Sequence, residues 1–120
     1  MILVVGLSHH SAPVEVRERL AVTSADLPAR LAELRQRTGA GEVVLLSTCN
    51  RVEVMAAPSS ADECPMDALA GRIADALALV APEVRPHLYA RVERAGIEHL
   101  FRVASSLDSL VVGEPQILGQ

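Results

Sequence analysis

Apolar residues along this chain fall into two kinds of pattern, short unbroken runs and stripes spaced by three or four. Ile2 to Leu7 is a run ended by Gly6-Leu7-Ser8 and reads as a buried strand. Ser11-Ala12-Pro13 resembles a helix start, with proline where its missing N–H is harmless, and predicts a short helix over about 13–20. Leu27, Leu31 and Leu34 form one stripe on a helix of about 25–38. Thr23 and Asp26 are spaced like a capping box before it, and Gly39 ends it. Glu42 to Ser47 is again a strand, since Val43-Val44-Leu45-Leu46 is too short for a helix. Val52 and Val54 around the alternating Glu53 predict a second strand, with Thr48-Cys49-Asn50-Arg51 as the tight connection. After a polar loop over 59–65, Leu69, Ile73, Leu77 and Val80 build a helix that stops before Pro82. A short strand at 87–91 and a helix over 94–105 complete the pattern. That last helix is predicted to carry Ile97, Leu100, Phe101 and Ala104 on one face, with His99 roughly opposite.

Setting the short early helix aside, the order is β-α-β-β-α-β followed by an extra helix. That is an α+β arrangement, the ferredoxin-like split β-α-β-β-α-β sandwich with an additional C-terminal helix. Residues 1–106 are expected to form the domain. The tail 107–120 looks like the opening of a helix cut short, so the chain is expected to be a fragment.

Composition narrows the function. The chain has 120 residues, half of them hydrophobic, but one Phe, one Tyr and no Trp, so its core is aliphatic. The formal charge is −4, from 11 basic residues that are all arginine against 15 acidic ones. An acidic domain is a poor electrostatic binder of nucleic acid by itself and a poor peripheral membrane binder. No apolar run approaches the roughly 20 residues of a membrane span, and the N-terminus lacks the features of a signal peptide. Cys49 and Cys64 cannot make a disulfide framework, which points to a reducing, cytoplasmic setting. No CxxC, HxxxH or HExxH spacing suggests a metal, and Thr38-Gly39-Ala40-Gly41 precedes a strand, so it is not a dinucleotide fingerprint.

Cys49 is the first candidate for chemistry. It follows an apolar strand, sits in a turn and has Arg51 two residues on; a nearby cation favours the reactive thiolate. The alternative is a half-buried structural cysteine. Cys64, in a polar loop, reads as a bystander. His99 is the second candidate, either a base or orienter facing a cleft or a solvent-exposed side chain. His9 and His10 follow the first strand and, on an extended chain, point to opposite sides, so at most one joins a site. His87 reads as a surface residue.

Three segments together resemble the N-terminal catalytic domain of the glutamyl-tRNA reductase family. They are Gly6-Leu7-Ser8-His9-His10-Ser11-Ala12-Pro13 with Arg17-Glu18, then Leu46-Ser47-Thr48-Cys49-Asn50-Arg51-Val52-Glu53, and the stretch from His99 to Gln120. The resemblance implies reduction of the glutamate of glutamyl-tRNA to glutamate-1-semialdehyde with NADPH, for tetrapyrrole synthesis. It implies that Cys49 attacks the ester carbonyl and holds glutamate as a thioester, with His99 moving a proton or positioning the ester. Thr48, Asn50, Arg51, Ser109, Glu114, Pro115, Gln116 and Gln120 match the family's substrate-contacting positions. Full-length members continue into an NADPH-binding domain and a dimerisation domain. This chain is therefore expected to bind no cofactor, to act only as an esterase, and to lack most contacts of the homodimer. Glutamyl-tRNA is the expected partner, and the resemblance also implies the aminomutase that follows in the pathway. His10 stands where the family more often has a basic residue. The competing readings are a module that binds glutamyl-tRNA without turnover and a regulatory fragment.

Overall fold

The structure, a computed structural model, describes residues 1–60 and 65–110. β1 (Leu3–Ser8), β2 (Ala40–Ser47), β3 (Arg51–Pro58) and β4 (Tyr89–Val92) form one antiparallel sheet in the order β2-β3-β1-β4. β1 and β2 run parallel with β3 inserted between them, which is the split arrangement that the element order predicts.

β1 is buried at every position because both of its faces are covered. Leu3, Val5 and Leu7 point into the main core with Val52, Val54 and Ala56 of β3. That core is closed by α2 (Leu27–Thr38) and α3 (Met66–Val80), which contribute Leu34, Leu69, Ile73 and Leu77. α1 (Val14–Leu20) closes one end of the layer with Leu20. A strand covered on both faces shows no polar alternation, hence the unbroken apolar run.

The second face of the sheet is covered in part by α4 (Glu93–Leu110), which packs on β1 and β4. Val4 and Val103 are buried yet lie outside the main core, on this other side. No loop joins β4 to α4. Glu93 makes the turn with a left-handed φ of 54°, and its N–H donates to the carbonyl of Ile2 at 3.0 Å. At Gly96 the helix presses on the strands so closely that a Cβ would lie 2.9 Å from the Arg91 carbonyl oxygen. Glycine is what lets α4 lie flat there.

Two expectations are corrected. Pro82–His87 is a 3-10 helix, so the last strand starts at Tyr89 and not at His87. The buried side of α4 is also not the predicted one. Gly96 and Val103 face the sheet with His99 and Leu100 half-buried, whereas Ile97 and Phe101 are 46% and 72% exposed. Apolar periodicity found a face of this helix, but the sheet chose a different one through the close approach at Gly96.

Candidate active site

Thr48 closes the β2–β3 connection. Its hydroxyl accepts the N–H groups of Asn50 (3.1 Å) and Arg51 (3.2 Å), and its own N–H donates to the Arg51 carbonyl at 2.8 Å. A side-chain oxygen that caps two backbone donors makes a short turn rigid. Cys49 and Asn50 sit at its tip, and Cys49 is exposed. Two further ties hold the tip. The His9 N–H donates to the Asn50 carbonyl at 2.7 Å, and Arg17 of α1 donates Nε to the Cys49 carbonyl at 3.3 Å and Nη1 to the Ala12 carbonyl at 2.7 Å. The thiol thus rides on a backbone fixed from three directions while remaining open to solvent.

Arg51 begins β3 and turns to the second face of the sheet, away from Val52 and Val54. Its Nη1 meets Glu53 Oε1 at 2.7 Å. The other carboxylate oxygen of Glu53 is bonded to His99 Nε2 from α4. Glu53 has no solvent exposure at all. A buried carboxylate needs this kind of double compensation, since desolvation otherwise makes its charge costly.

Gly6 makes the room. It pairs across the sheet with Glu53 on one side and Tyr89 on the other. A Cβ on Gly6 would lie 2.3 Å from the Val52 carbonyl and 2.9 Å from Glu53 Cγ. With no side chain between them, Glu53 and Tyr89 come together beneath His99, whose ring lies 5.3 Å from that of Tyr89. The Tyr89 hydroxyl is buried without a hydrogen-bond partner. Burial and, next, the Glu53 carboxylate push its pKa far above the usual value of 10.0; Ser8 and Arg51 pull the other way. Glu53 and Ser8 bear on its ionisation, but neither meets hydrogen-bond geometry with it.

Above this cluster opens a cleft of about 430 Å³ lined by Arg51, Tyr89, His99, His10, Arg91 and Arg102 among others. The volume is within the range of small-ligand sites. Cys49 stands at the hairpin tip and is not among the residues that line the cleft. His9 and His10 are in a turn with ring centroids 4.0 Å apart, so they do not point to opposite sides as an extended chain requires; His10 joins the cleft. His87 also lines it, with Nδ1–H donating to the Ser11 carbonyl at 2.9 Å, and is no plain surface residue. Arg51, two residues on from the thiol, is bound inward to Glu53.

Ser109 falls on the last turn of α4. Cys64, Glu114, Pro115, Gln116 and Gln120 lie outside the described residues, and the predicted boundary at 106/107 falls within α4. Among the described residues no group of His, Cys, Asp and Glu could hold a metal ion, and no helix is long and apolar enough to cross a membrane. Nor do these residues suit NADPH. The sheet is antiparallel throughout, and none of its strands runs through a glycine-rich turn into a helix N-terminus that could cradle a pyrophosphate. No hydride step is assigned to them.

Gly6, Arg17 and Glu53 stand in the sequence only as members of the resembling segments, and neither they nor Tyr89 have a site role there. A charged residue alternating with valines reads as a solvent-facing position. Only the covering helix shows that this face is closed.

Known proteins contain a similar chain. A family model described as the glutamyl-tRNA(Glu) reductase N-terminal domain matches residues 5–120. The glutamyl-tRNA reductase of Solibacter usitatus is 50% identical over 119 residues, covering 99% of this chain and 28% of that protein. The enzyme of the same name from Sorangium cellulosum is 47% identical, over 97% of this chain and 25% of its own length. Among solved structures, the glutamyl-tRNA reductase from Methanopyrus kandleri superposes with a TM-score of 0.65 at 31% identity, covering 99% of this chain and 26% of that one. The chain thus spans about a quarter of the length of these relatives.

Proposed function

The chain belongs to the glutamyl-tRNA reductase N-terminal domain family, and from that membership we propose that it performs the acyl-transfer half of the reaction that gives those enzymes their name. The substrate is glutamyl-tRNA. The Cys49 sulfur attacks the ester carbonyl carbon, a C–S bond forms, the ester C–O bond breaks, and the ribose hydroxyl of the tRNA leaves with a proton. The product is a glutamyl thioester. Splitting acyl transfer from the later step lets each proceed through a lower barrier.

The observation that carries this reading is the exposed Cys49 on a hairpin tip held rigid by Thr48, Arg17 and His9. Rigid placement of a nucleophile in reach of solvent is what a thiol needs for acyl transfer, and a structural cysteine has no use for it. His99 supplies or accepts the proton. Glu53 occupies its Nε2, which leaves Nδ1 as the ring nitrogen free for exchange. Arg51 keeps further guanidinium donors beyond the one given to Glu53, and these suit the γ-carboxylate of a glutamyl group. NADPH, dimer contacts and reduction belong in this reading to the parts of the relatives that the chain does not span.

The test is acid-quenched mass spectrometry after incubation with glutamyl-tRNA. A glutamyl adduct on the peptide holding Cys49, with slow release of free glutamate, is expected. An adduct on Cys64 overturns the assignment, and tight binding of glutamyl-tRNA without any adduct leaves only a binding module.

A further inference from the structure

Among the described residues, the cleft above His99 is lined without any Asp or Glu, in a chain that has 15 of them against 11 arginines. Exposed Arg91 from β4 and exposed Arg102 from α4 line it too, and neither forms an ion pair among the described residues. Arg51 is neutralised by Glu53 below, so the uncompensated charge of the cleft belongs to these two arginines. Arg91 is already placed. Its guanidinium carbon lies 5.2 Å from the centroid of the Tyr89 ring, and Nη1 donates to the Ala90 carbonyl at 3.0 Å. Arg102 follows His99 by one helical turn and so faces the same cleft. Two exposed guanidinium groups on one cleft, without an ion-pair partner among the described residues, suit an anion bound between them.

We infer that Arg91 and Arg102 form a phosphate-binding site, and that its ligand is the sugar–phosphate backbone of the RNA end that carries the glutamyl ester. This rests on the acyl-transfer reading above. A carboxylate is satisfied by one planar fork, which the N–H donors that Arg51 does not give to Glu53 can supply without the net charge of Arg91 and Arg102. A phosphodiester presents oxygens in several directions and suits two guanidinium groups that come from different elements. The site also answers the charge problem of the whole molecule: an acidic domain holds an RNA end through one local basic cleft.

The probe is a fluorescently labelled cytidine-cytidine-adenosine RNA trinucleotide without amino acid, followed by polarisation over a series of KCl concentrations. Each phosphate contact to a single strand contributes about 0.7 to the slope of log affinity against log salt. The Arg91→Ala/Arg102→Ala double variant is expected to bind about tenfold more weakly or worse, and to lose roughly 1.4 of that slope. Arg91→Lys/Arg102→Lys keeps the charges and should keep the slope, and Arg35→Ala, exposed on α2, should match the wild type. Unchanged affinity and slope in the double alanine variant, or in both single alanine variants if the double does not fold, overturn the site. If inorganic phosphate binds the wild type as tightly as the trinucleotide at matched ionic strength, the ligand is a small phosphate and the RNA assignment falls. Acylation of wild-type Cys49 by a small glutamyl thioester, with no RNA present, tests the acyl-transfer reading separately. That reaction can succeed while the phosphate site fails, or the reverse.

Discussion

The carboxylate of Glu53, fully buried in β3, holds Nε2 of His99 on α4 across 46 residues of sequence. The same carboxylate holds Arg51 through its other oxygen. One buried anion therefore sets the positions of two cleft-lining side chains and joins the second helical layer to the sheet.

Glu53→Gln tests that relationship. The amide has the shape of the carboxylate but leaves the Arg51 guanidinium, 9% exposed, without its counter-charge. Breaking a buried pair from one side costs about 3–5 kcal/mol. Denaturant titration should show a loss of that order, and a loss below about 0.5 kcal/mol would mean that solvent relaxation compensates Arg51.

Tyr89 offers a spectroscopic test because it is the chain's one tyrosine and there is no tryptophan. Its raised pKa means that the folded state keeps the phenolic proton longer than the unfolded state does. The stability this gives is fully present below pH 10.0, the ordinary value, and is lost as pH rises through the higher folded value. Absorbance of tyrosinate should stay low above pH 10 in the native protein and rise normally in urea. Tyr89→Phe should melt close to the wild type at neutral pH, since the hydroxyl has no partner to lose, and should show a weaker decline in alkali.

Two glycine substitutions should move stability in opposite directions. Gly6→Ala drives a methyl group to 2.3 Å from the Val52 carbonyl and into the space over Glu53. Overpacking of this kind costs typically about 1–3 kcal/mol, and more where backbone must move. Gly71 of α3 has nothing within 4 Å of a Cβ, so Gly71→Ala should stabilise by about 0.5–1 kcal/mol. Thermal melts of the two variants against the wild type decide it; equal shifts would contradict the close packing over Glu53.

Cys49 and His99 should separate chemistry from structure. Cys49 is exposed, so Cys49→Ser should change stability by no more than about 0.5 kcal/mol while abolishing the glutamyl adduct. His99→Ala removes a partner of Glu53 and should lower the melting temperature as well as slow acylation about 10²–10⁴-fold. A full-rate His99→Ala protein, corrected for its folded fraction, would make this histidine purely structural.

Local patterns along the chain settle the order of elements and place Cys49 between the second and third strands. Runs such as Val43-Val44-Leu45-Leu46 and the stripe of Leu69, Ile73 and Leu77 are local signals, set by the periods of strand and helix. They suffice to order the strands as a split sandwich and to put Cys49 in the turn between β2 and β3. Periodicity says which residues share a face, but not what covers that face. Glu53 reads only as the alternating position of a strand until α4 lies over it, and Ile97 and Phe101 read as one apolar face until Gly96 turns the helix the other way. The cleft, the Glu53–His99 pair and the room over Gly6 all arise from contacts between residues distant in the chain. Only the tertiary packing of α4 on the sheet, fixed by the sharp turn at Glu93, decided them.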